Sequence, residues 1–259
     1  MDVGLRTPLL DFFRRGEVAR DLRLLAAAGA ISPRPLEQLG LLILLVSDSD
    51  EEVRATAERT LSRLPEAALA GLIARADVST EVREFFVARG IAPAARPADG
   101  MDAPLVDEDR TDYGADEQTA EQKVLTAKRV SEMSVPEKVK AAMKGTREMR
   151  TLLIRDPNKM VASAVLSSPK LTTSEVESFA KMANVGEDVL RAIGQNRAWL
   201  KNYGVAASLT RNPKTPVAMS MNLMQRLIER DVRALAVDRN VPEPLRLAAR
   251  KRIVKTSNA

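Results

Sequence analysis

An internal repeat of 44 residues in the second half of the chain constrains its fold more than any other feature. Matching residues stand 44 positions apart at Asn158 and Asn202, Val161-Ala162 and Val205-Ala206, Pro169-Lys170 and Pro213-Lys214, Phe179 and Leu223, Ile193 and Val237, and Asn196 and Asn240. A third, truncated copy fits residues 245–253. Repeats of this length bury their apolar faces by stacking on one another. The repeat therefore predicts an array of stacked structural units.

Start and stop signals predict that each copy of the repeat is helical, and the Ser-x-x-Glu sequence at residues 134–137 predicts the start of another helix before the repeat. In the first copy, residues 159–167 and 173–183 are predicted to be two helices, the second with a threonine cap. In the second copy, Thr215 is expected to cap a helix in which Pro216 is the first residue. Each copy is thus predicted to hold two helices.

The composition agrees with an all-α fold and excludes several kinds of active site. Hydrophobic residues make up 45% of the chain and aromatic residues only 3%, which suits closely packed helix pairs better than β-sandwiches. Cysteine and histidine are both absent, which excludes most zinc sites and nucleophiles activated by histidine. The chain also lacks a glycine-rich phosphate loop. We therefore predict no catalytic residue, metal site or cofactor.

The first part of the chain also reads as consecutive short helices. Residues 17–28 have helical spacing and precede Gly29, while Pro35 opens a helix that is apolar on nearly every side. Asp50 is expected to cap the helix that follows. Acidic turns at residues 47–52 and 77–81 each precede a Val-Arg dipeptide.

The first acidic turn and its helix, D-S-D-E-E-V-R-A-T-A-E-R-T-L, resemble the inter-helix turn and second helix of HEAT-type repeats. The period of 44 lies in the range of HEAT and armadillo repeats, about 40–47 residues. The turn R-N-P-K-T-P at residues 211–216 resembles the leucine-rich repeat variant. These resemblances imply a right-handed α-solenoid of HEAT-like helical hairpins, a fold whose members bind many kinds of ligand.

Composition divides the chain into two segments with opposite charge. Residues 1–91 form the first HEAT-like segment, residues 92–120 read as a flexible acidic linker, and residues 121–259 form the second HEAT-like segment. Residues 121–259 hold 26 Lys and Arg against 13 Asp and Glu, whereas the remainder holds 14 against 22. This asymmetry predicts two surfaces with different partners, or a contact between the acidic and basic segments.

The stretch from Asn196 to Tyr203 is the first candidate for a contact site, because it holds the single Trp and one of two Tyr. Trp, Tyr and Arg are the residues that most often dominate binding energy. The predicted partner-binding residues are Arg197, Trp199, Lys201, Tyr203, Arg211, Asn212 and Lys214. The alternative is that the aromatic residues pack in the core and that the asparagines cap helices.

Clustered basic residues form a second candidate surface. Its predicted members are Lys140, Lys144, Arg147, Arg150, Arg226, Arg230, Arg246 and Arg250. Such a surface is predicted to bind another protein; the alternatives are phosphate contacts to nucleic acid and simple solvation. Interspersed acidic residues disfavour nucleic acid.

The N-terminal sequence has no signal peptide and the longest apolar run is too short to span a membrane, so we expect a soluble cytoplasmic protein without membrane contact.

Overall fold

The computed structural model describes residues 7–97, residue 105 and residues 120–257. Within these ranges the chain forms 17 helices and no β-strand, which confirms the predicted all-α class. None of the helices in this part of the chain is both long and apolar enough to cross a membrane. Backbone contacts divide the chain into two units, Met1–Met149 with Ser167–Lys170 and Arg150–Leu166 with Leu171–Ala259.

The first eight helices all lie in unit 1, including the two that follow the predicted linker. They are α1 (Pro8–Arg15), α2 (Arg20–Ala27), α3 (Pro35–Leu45), α4 (Glu51–Arg63), α5 (Glu66–Ile73), α6 (Thr80–Val87), α7 (Ala120–Glu132) and α8 (Val135–Lys144). α3 packs against α1, α2 and α4. This arrangement explains why α3 is apolar on nearly every side, as a sandwiched helix must be.

The remaining helices begin at the division between the units. They are α9 (Arg147–Leu153), α10 (Lys159–Ser167), α11 (Thr173–Lys181), α12 (Glu187–Gln195), α13 (Arg197–Leu200), α14 (Tyr203–Arg211), α15 (Val217–Met224), α16 (Glu229–Val237) and α17 (Glu243–Ser257). In unit 2, α14 packs against α11, α12, α13 and α15, and α17 packs against α15 and α16. Their shared core is almost entirely aliphatic.

Several helix starts follow the predicted capping chemistry. The Asp50 carboxylate accepts hydrogen bonds from the backbone N–H groups of Glu52 and Val53 at the start of α4. Ser134 and Glu137 form the capping box of α8. Each cap satisfies backbone donors that have no partner within the helix.

The two Val-Arg dipeptides of the first segment have the same structural role. Arg54 Nη1 donates to the carbonyl oxygens of Asp48 (2.7 Å) and Ser49 (3.0 Å) in the turn that precedes α4. Arg83 Nε donates to the carbonyl of Ile73 (3.0 Å), the last residue of α5. Each arginine therefore ties its own helix to the backbone that comes before it, Arg54 to the turn before α4 and Arg83 to the end of α5.

The 44-residue spacing recurs in the helices of the second half. α10 and α14 begin 44 residues apart, as do α11 and α15. The packing recurs as well, because α14 packs against α11 while α17, which contains the positions 44 residues beyond α14, packs against α15. The repeat seen in the sequence is therefore also a repeat of helix pairs.

Each copy contains more helices than the two predicted, so that prediction is wrong. α12 and α13 follow α11 within the first copy. α12 begins after Gly186 without a side-chain cap, and α13 is a single turn capped by Asn196. Thr215 is not a cap either, since α15 begins at Val217 with Pro216 in the cap position.

Side-chain hydrogen bonds cap the carboxyl ends of both α11 and α15, which is a second feature that recurs in the repeat. The Asn212 side-chain amide, just after α14, donates to the carbonyls of Ala180 (2.8 Å) and Met182 (3.0 Å) at the end of α11. The Arg252 guanidinium in α17 donates to the carbonyl of Met224, 44 residues beyond Ala180. Both side chains satisfy carbonyls that a helix end leaves without partners.

Replacing Asn212 with alanine is expected to lower the free energy of unfolding of unit 2 by about 1–3 kcal/mol, because buried carbonyls lose their donor. Asn212 is 4% exposed, so water cannot replace the lost amide without rearrangement. Urea unfolding followed by fluorescence reports on unit 2, which contains Trp199, the single Trp. The exposed Asn222→Ala in α15 is the control, and equal losses in the two variants would contradict the assignment.

Unit 1 contains a fully buried carboxyl group. Glu37, in the first turn of α3, is 0% exposed. The Ser32 hydroxyl donates to its Oε2 at 2.6 Å and the Thr7 hydroxyl donates to its Oε1. Burial raises the pKa of Glu37 above its ordinary value of 4.5, although both hydroxyls and the nearby charge of Arg34 act in the opposite direction.

Because the pKa of Glu37 is higher in the folded state, the folded chain binds more protons than the unfolded chain between the two pKa values. The contribution of this group to folding therefore becomes less favourable as the pH rises through that window. We expect Glu37→Gln to gain stability relative to the natural chain as the pH rises above 4.5, the ordinary pKa of this group. Urea unfolding followed by far-ultraviolet circular dichroism measures this, with the exposed Glu66→Gln as the control. A difference independent of pH would contradict the assignment.

Two residues of the predicted flexible linker form hydrogen bonds with helices of unit 1. The backbone N–H of Ala94 donates to the carbonyl of Ala70 in α5 at 2.9 Å. The backbone N–H of Leu105 donates to the side chain of Gln38 in α3 at 2.7 Å. Most of the linker, residues 98–104 and 106–119, lies outside the described residues.

Candidate functional site

Three of the residues predicted for contact meet at one carboxylate, that of Asp231 in the first turn of α16. The Tyr203 hydroxyl, at the start of α14, donates to Oδ2 of Asp231. Arg211 Nη2, at the end of the same helix, donates to Oδ1 at 2.8 Å, and Arg230 Nε lies 3.5 Å from Oδ1. Asp231 itself is only 6% exposed. The two ends of α14 are thus joined to α16 through a buried charge.

The environment of this cluster keeps Asp231 ionised and Tyr203 neutral near neutral pH. The hydrogen bond from Tyr203, with the charges of Arg211 and Arg230, holds the pKa of Asp231 below its ordinary value of 3.8. Burial and the hydrogen bond to Asp231 raise the pKa of Tyr203 above 10. A general acid or base needs a pKa near the working pH, so this cluster has the character of a structural network.

The same network fixes the turn between α15 and α16. The backbone N–H of Ile228 donates to the Tyr203 hydroxyl at 3.2 Å, so this oxygen both accepts and donates a hydrogen bond. Arg226 Nη2 donates to the carbonyl of Leu200 in α13 at 2.7 Å. The turn is therefore held against α13 and the start of α14, with Arg226 and Ile228 on its surface.

The outer side of α16 combines apolar and basic side chains in contact with solvent. Val232, Leu235 and Ala236 point into the core of unit 2, whereas Ile228 is 50% and Val237 is 72% exposed. Arg230 and Arg233, which stand between these two in the sequence, are also exposed. We call this surface the α16 face, and define it by Tyr203, Arg226, Ile228, Arg230, Arg233 and Val237.

The stretch around the single Trp is only partly exposed. Trp199 is half-buried in α13, while Arg197 and Lys201 are exposed at its two ends. Tyr203 is 39% exposed, and its hydroxyl group forms the hydrogen bonds with Asp231 and with the backbone N–H of Ile228.

Two other predicted contact residues follow α14 and differ in their surroundings. Lys214 is exposed, but Asn212 is buried and its side chain is used in capping α11. The placement of Asn212 in a partner-binding surface is therefore wrong. Its position just after a helix is typical of an accessible turn residue. The packing of α14 on α11 buries it instead.

Arg150 is a second correction, because it does not lie on the basic surface. It is 2% exposed, and its Nε donates to Oε1 of Glu175, which is 3% exposed, at 2.9 Å. The other carboxylate oxygen of Glu175 accepts hydrogen bonds from the backbone and side chain of Thr172 in the capping box of α11. The pair joins α9 to α11 inside unit 2.

The remaining members of the predicted basic surface differ in exposure and are divided between the two units. Arg147, Arg226, Arg230 and Arg250 are exposed, and Lys140, Lys144 and Arg246 are half-buried. Lys140 and Lys144 belong to unit 1. Arg250 donates to the carbonyl of Ala236 at the end of α16. Within unit 2, Arg230 shares the carboxylate of Asp231 with Tyr203 and Arg211, and Arg226 binds the carbonyl of Leu200.

The sequence interpretation missed Asp231, Ile228 and Val237. Asp231 had the appearance of an ordinary acidic residue in a first helical turn. Val237 was recognised only as the repeat partner of Ile193, which is buried, although Val237 is exposed. This difference in exposure between Val237 and Ile193 follows from packing, and the sequence does not indicate it.

The described residues contain no group of three or more acidic side chains arranged to hold a metal ion. No family model, no curated protein and no solved structure matches this chain.

Proposed function

We propose that this chain is a non-catalytic HEAT-like α-solenoid that binds another protein through the basic surface of its second half. The observation that carries the proposal is the α16 face, where two strongly exposed aliphatic side chains and several exposed arginines belong to α16 and to the turn before it, which is held by hydrogen bonds to α13 and α14. Exposed apolar residues next to arginine are typical of interfaces. The recurring helix pairs support the repeat architecture, and location in the cytoplasm is part of the same proposal.

Nucleic acid is the second candidate, and the surroundings of the arginines favour a protein instead. Arg211 and Arg230 share the carboxylate of Asp231, and Arg233 is paired with Glu229. Binding driven by phosphates needs cations that replace counterions along a backbone. The exposed Ile228 and Val237 have no role in such contacts, whereas an apolar partner surface would bury both.

Affinity capture from lysate with mass spectrometry, with and without nuclease, tests the proposed function. We expect the full chain to retain a protein partner after nuclease treatment, and Arg226→Glu/Arg230→Glu to retain less than a tenth of it. Arg155→Glu/Lys181→Glu is the control, because both residues are exposed in unit 2 and the charge change is equal. Deletion of residues 121–259 is unsuitable as a test of the second half, because it also removes most of α7 and all of α8, which belong to unit 1.

Loss of all captured material on nuclease treatment would contradict a protein partner and favour nucleic acid. Equal retention by the two variants would contradict the assignment to this surface.

A further inference from the structure

We infer that the exposed side of α17 binds an acidic amphipathic helix of another protein. The inference goes beyond the proposed function, because it assigns a second binding surface to the chain, made of residues other than those of the α16 face. We call this surface the α17 face, and define it by Leu247, Arg250, Lys251 and Val254. The inference follows from the position of these residues on the helix, from the repeat and from their charge.

The four residues of the α17 face lie on one side of the helix. Leu247 is 47% and Val254 is 60% exposed. They are seven positions apart, and at 3.6 residues per turn seven positions fall only about 20° short of two full turns. Arg250 and Lys251, three and four positions after Leu247, are exposed between them. The buried Ala249 points away from this side, into the core of unit 2.

The repeat shows that the same side of the preceding copy is covered. α17 contains the positions 44 residues beyond α14, and the counterparts of three α17 residues are all buried in α14: Ala206, Ala207 and Thr210 for Arg250, Lys251 and Val254. α14 packs against α11 before it and α15 after it, whereas α17 packs against α15, the counterpart of α11, and against α16. In the part of the chain that the structure describes, no helix takes the place on α17 that α15 takes on α14.

The repeat and the spacing of the apolar residues both indicate a helix as the occupant. The element that packs on α14 at the corresponding place is the helix α15. Leu247 and Val254 lie about 10 Å apart along α17, at a rise of 1.5 Å per residue. A helix that lies along α17 with apolar side chains seven positions apart contacts both residues, as in other recognition of amphipathic helices.

The basic residues indicate that the occupant is acidic. Arg250 and Lys251 form no ion pair with the acidic side chains of the described residues. Arg250 Nε donates to the carbonyl of Ala236 at 3.1 Å, which holds the guanidinium in place while the residue stays exposed. Both cations can therefore bind carboxylates of a partner through charge-assisted hydrogen bonds. We expect Asp or Glu between the two apolar residues of the occupant.

The same residues disfavour two other occupants. The α17 of a second copy, packed on this one, would bring Arg250 and Lys251 of both copies together, and like charges repel. Single-stranded nucleic acid stacks its bases on aromatic side chains, whereas Leu247 and Val254 offer an aliphatic surface. An acidic helix with apolar side chains satisfies both the charge and the apolar residues.

Selection from a library of eighteen-residue helical peptides on the immobilised full chain tests the inference. Peptides that also bind Leu247→Ser/Val254→Ser are removed during selection. The remaining sequences are expected to carry apolar residues seven positions apart with Asp or Glu between them. Fluorescence anisotropy then measures their affinity, and we expect Lys251→Glu to raise Kd at least fivefold and Lys251→Arg to change it less than twofold.

The matched control is Val87→Ser/Val124→Ser, which removes two similarly exposed aliphatic residues from α6 and α7. It should change Kd less than twofold, as should Arg226→Glu/Arg230→Glu, which alters the α16 face. Circular dichroism must show that all variants keep their helical content. An unchanged affinity in Arg226→Glu/Arg230→Glu separates this inference from the proposed function, which depends on those two arginines.

Three results would overturn the inference. The first is that selection yields no peptide, or yields peptides without the acidic residues or the seven-residue spacing. The second is an equal effect of Lys251→Glu and of the control variants on Kd. The third is that the face has another occupant: a dimer of the full chain, seen by sedimentation velocity, that Leu247→Ser/Val254→Ser dissociates, or displacement of the peptide by an oligothymidine.

Discussion

Replacing Arg150 with alanine is expected to lower the free energy of unfolding of unit 2 by about 3–5 kcal/mol, because it leaves the buried carboxylate of Glu175 without its cation. Arg150 and Glu175 are 2% and 3% exposed, so solvent does not screen the remaining charge. Glu175 also holds Thr172 at the start of α11 and is therefore unable to turn away without loss of the cap. Urea unfolding followed by Trp199 fluorescence measures the change.

The matched control is Arg155→Ala, an exposed residue just after the end of α9 whose Nε donates to the carbonyl of Thr151 in that helix. Its expected cost is below about 0.5 kcal/mol, as for most surface substitutions. The double variant Arg150→Met/Glu175→Leu should recover most of the loss, since apolar replacement of a buried ion pair is often neutral. An Arg150→Ala variant as stable as the control would contradict the buried pair.

Replacing Phe179 with alanine is expected to cost about 3–5 kcal/mol, because Phe179 fills the core of α11 at 1% exposure. The repeat supplies a graded comparison. Leu223 occupies the position 44 residues later in α15 and is also buried. Phe179→Leu therefore introduces the residue that the second copy uses and should cost less than about 1.5 kcal/mol.

The same fluorescence measurement separates these two variants of Phe179. A large gap between alanine and leucine supports the equivalence of α11 and α15 as members of one repeat. Equal losses from both substitutions would contradict it, because the pocket at Phe179 would then have no counterpart in the pocket at Leu223.

Local chemistry explains which elements could be predicted from the sequence. Asp50, Ser134 and Thr172 cap helices through contacts within three residues, so their patterns are complete in a short stretch of chain. The burial of α3 could likewise be predicted from its composition alone, because the helix is apolar on nearly every side. The 44-residue repeat located α10, α11, α14 and α15 within a few residues of their observed starts.

Contacts between distant residues explain what could not be predicted. The partner of Arg150 is 25 residues away, and Asp231 lies 20 residues from Arg211 and 28 from Tyr203. Nothing in the neighbouring sequence of Arg150 distinguishes it from the exposed Arg147 on the same helix. α16 also escaped prediction, because its cap residue, Ile228, offers no side-chain acceptor.

The candidate site was predicted in part for the same reason. Tyr203, Arg211 and Arg230 were chosen by residue type, and the structure brings them together around a carboxylate that was not chosen. The exposure of Ile228 and Val237 depends on how α16 packs on α17 and on the end of α15. The shift of the candidate surface from Trp199 towards α16 is therefore a result of packing alone.

Site-specific crosslinking in the full chain tests the central claim most directly. A photoreactive amino acid is placed at Ile228 or Val237, with Val87 in α6 and Val124 in α7 as control positions of similar exposure. The account predicts that positions 228 and 237 crosslink to another protein, and that nuclease does not change this result. Crosslinks to nucleic acid at these positions, or protein crosslinks only from positions 87 and 124, would contradict it.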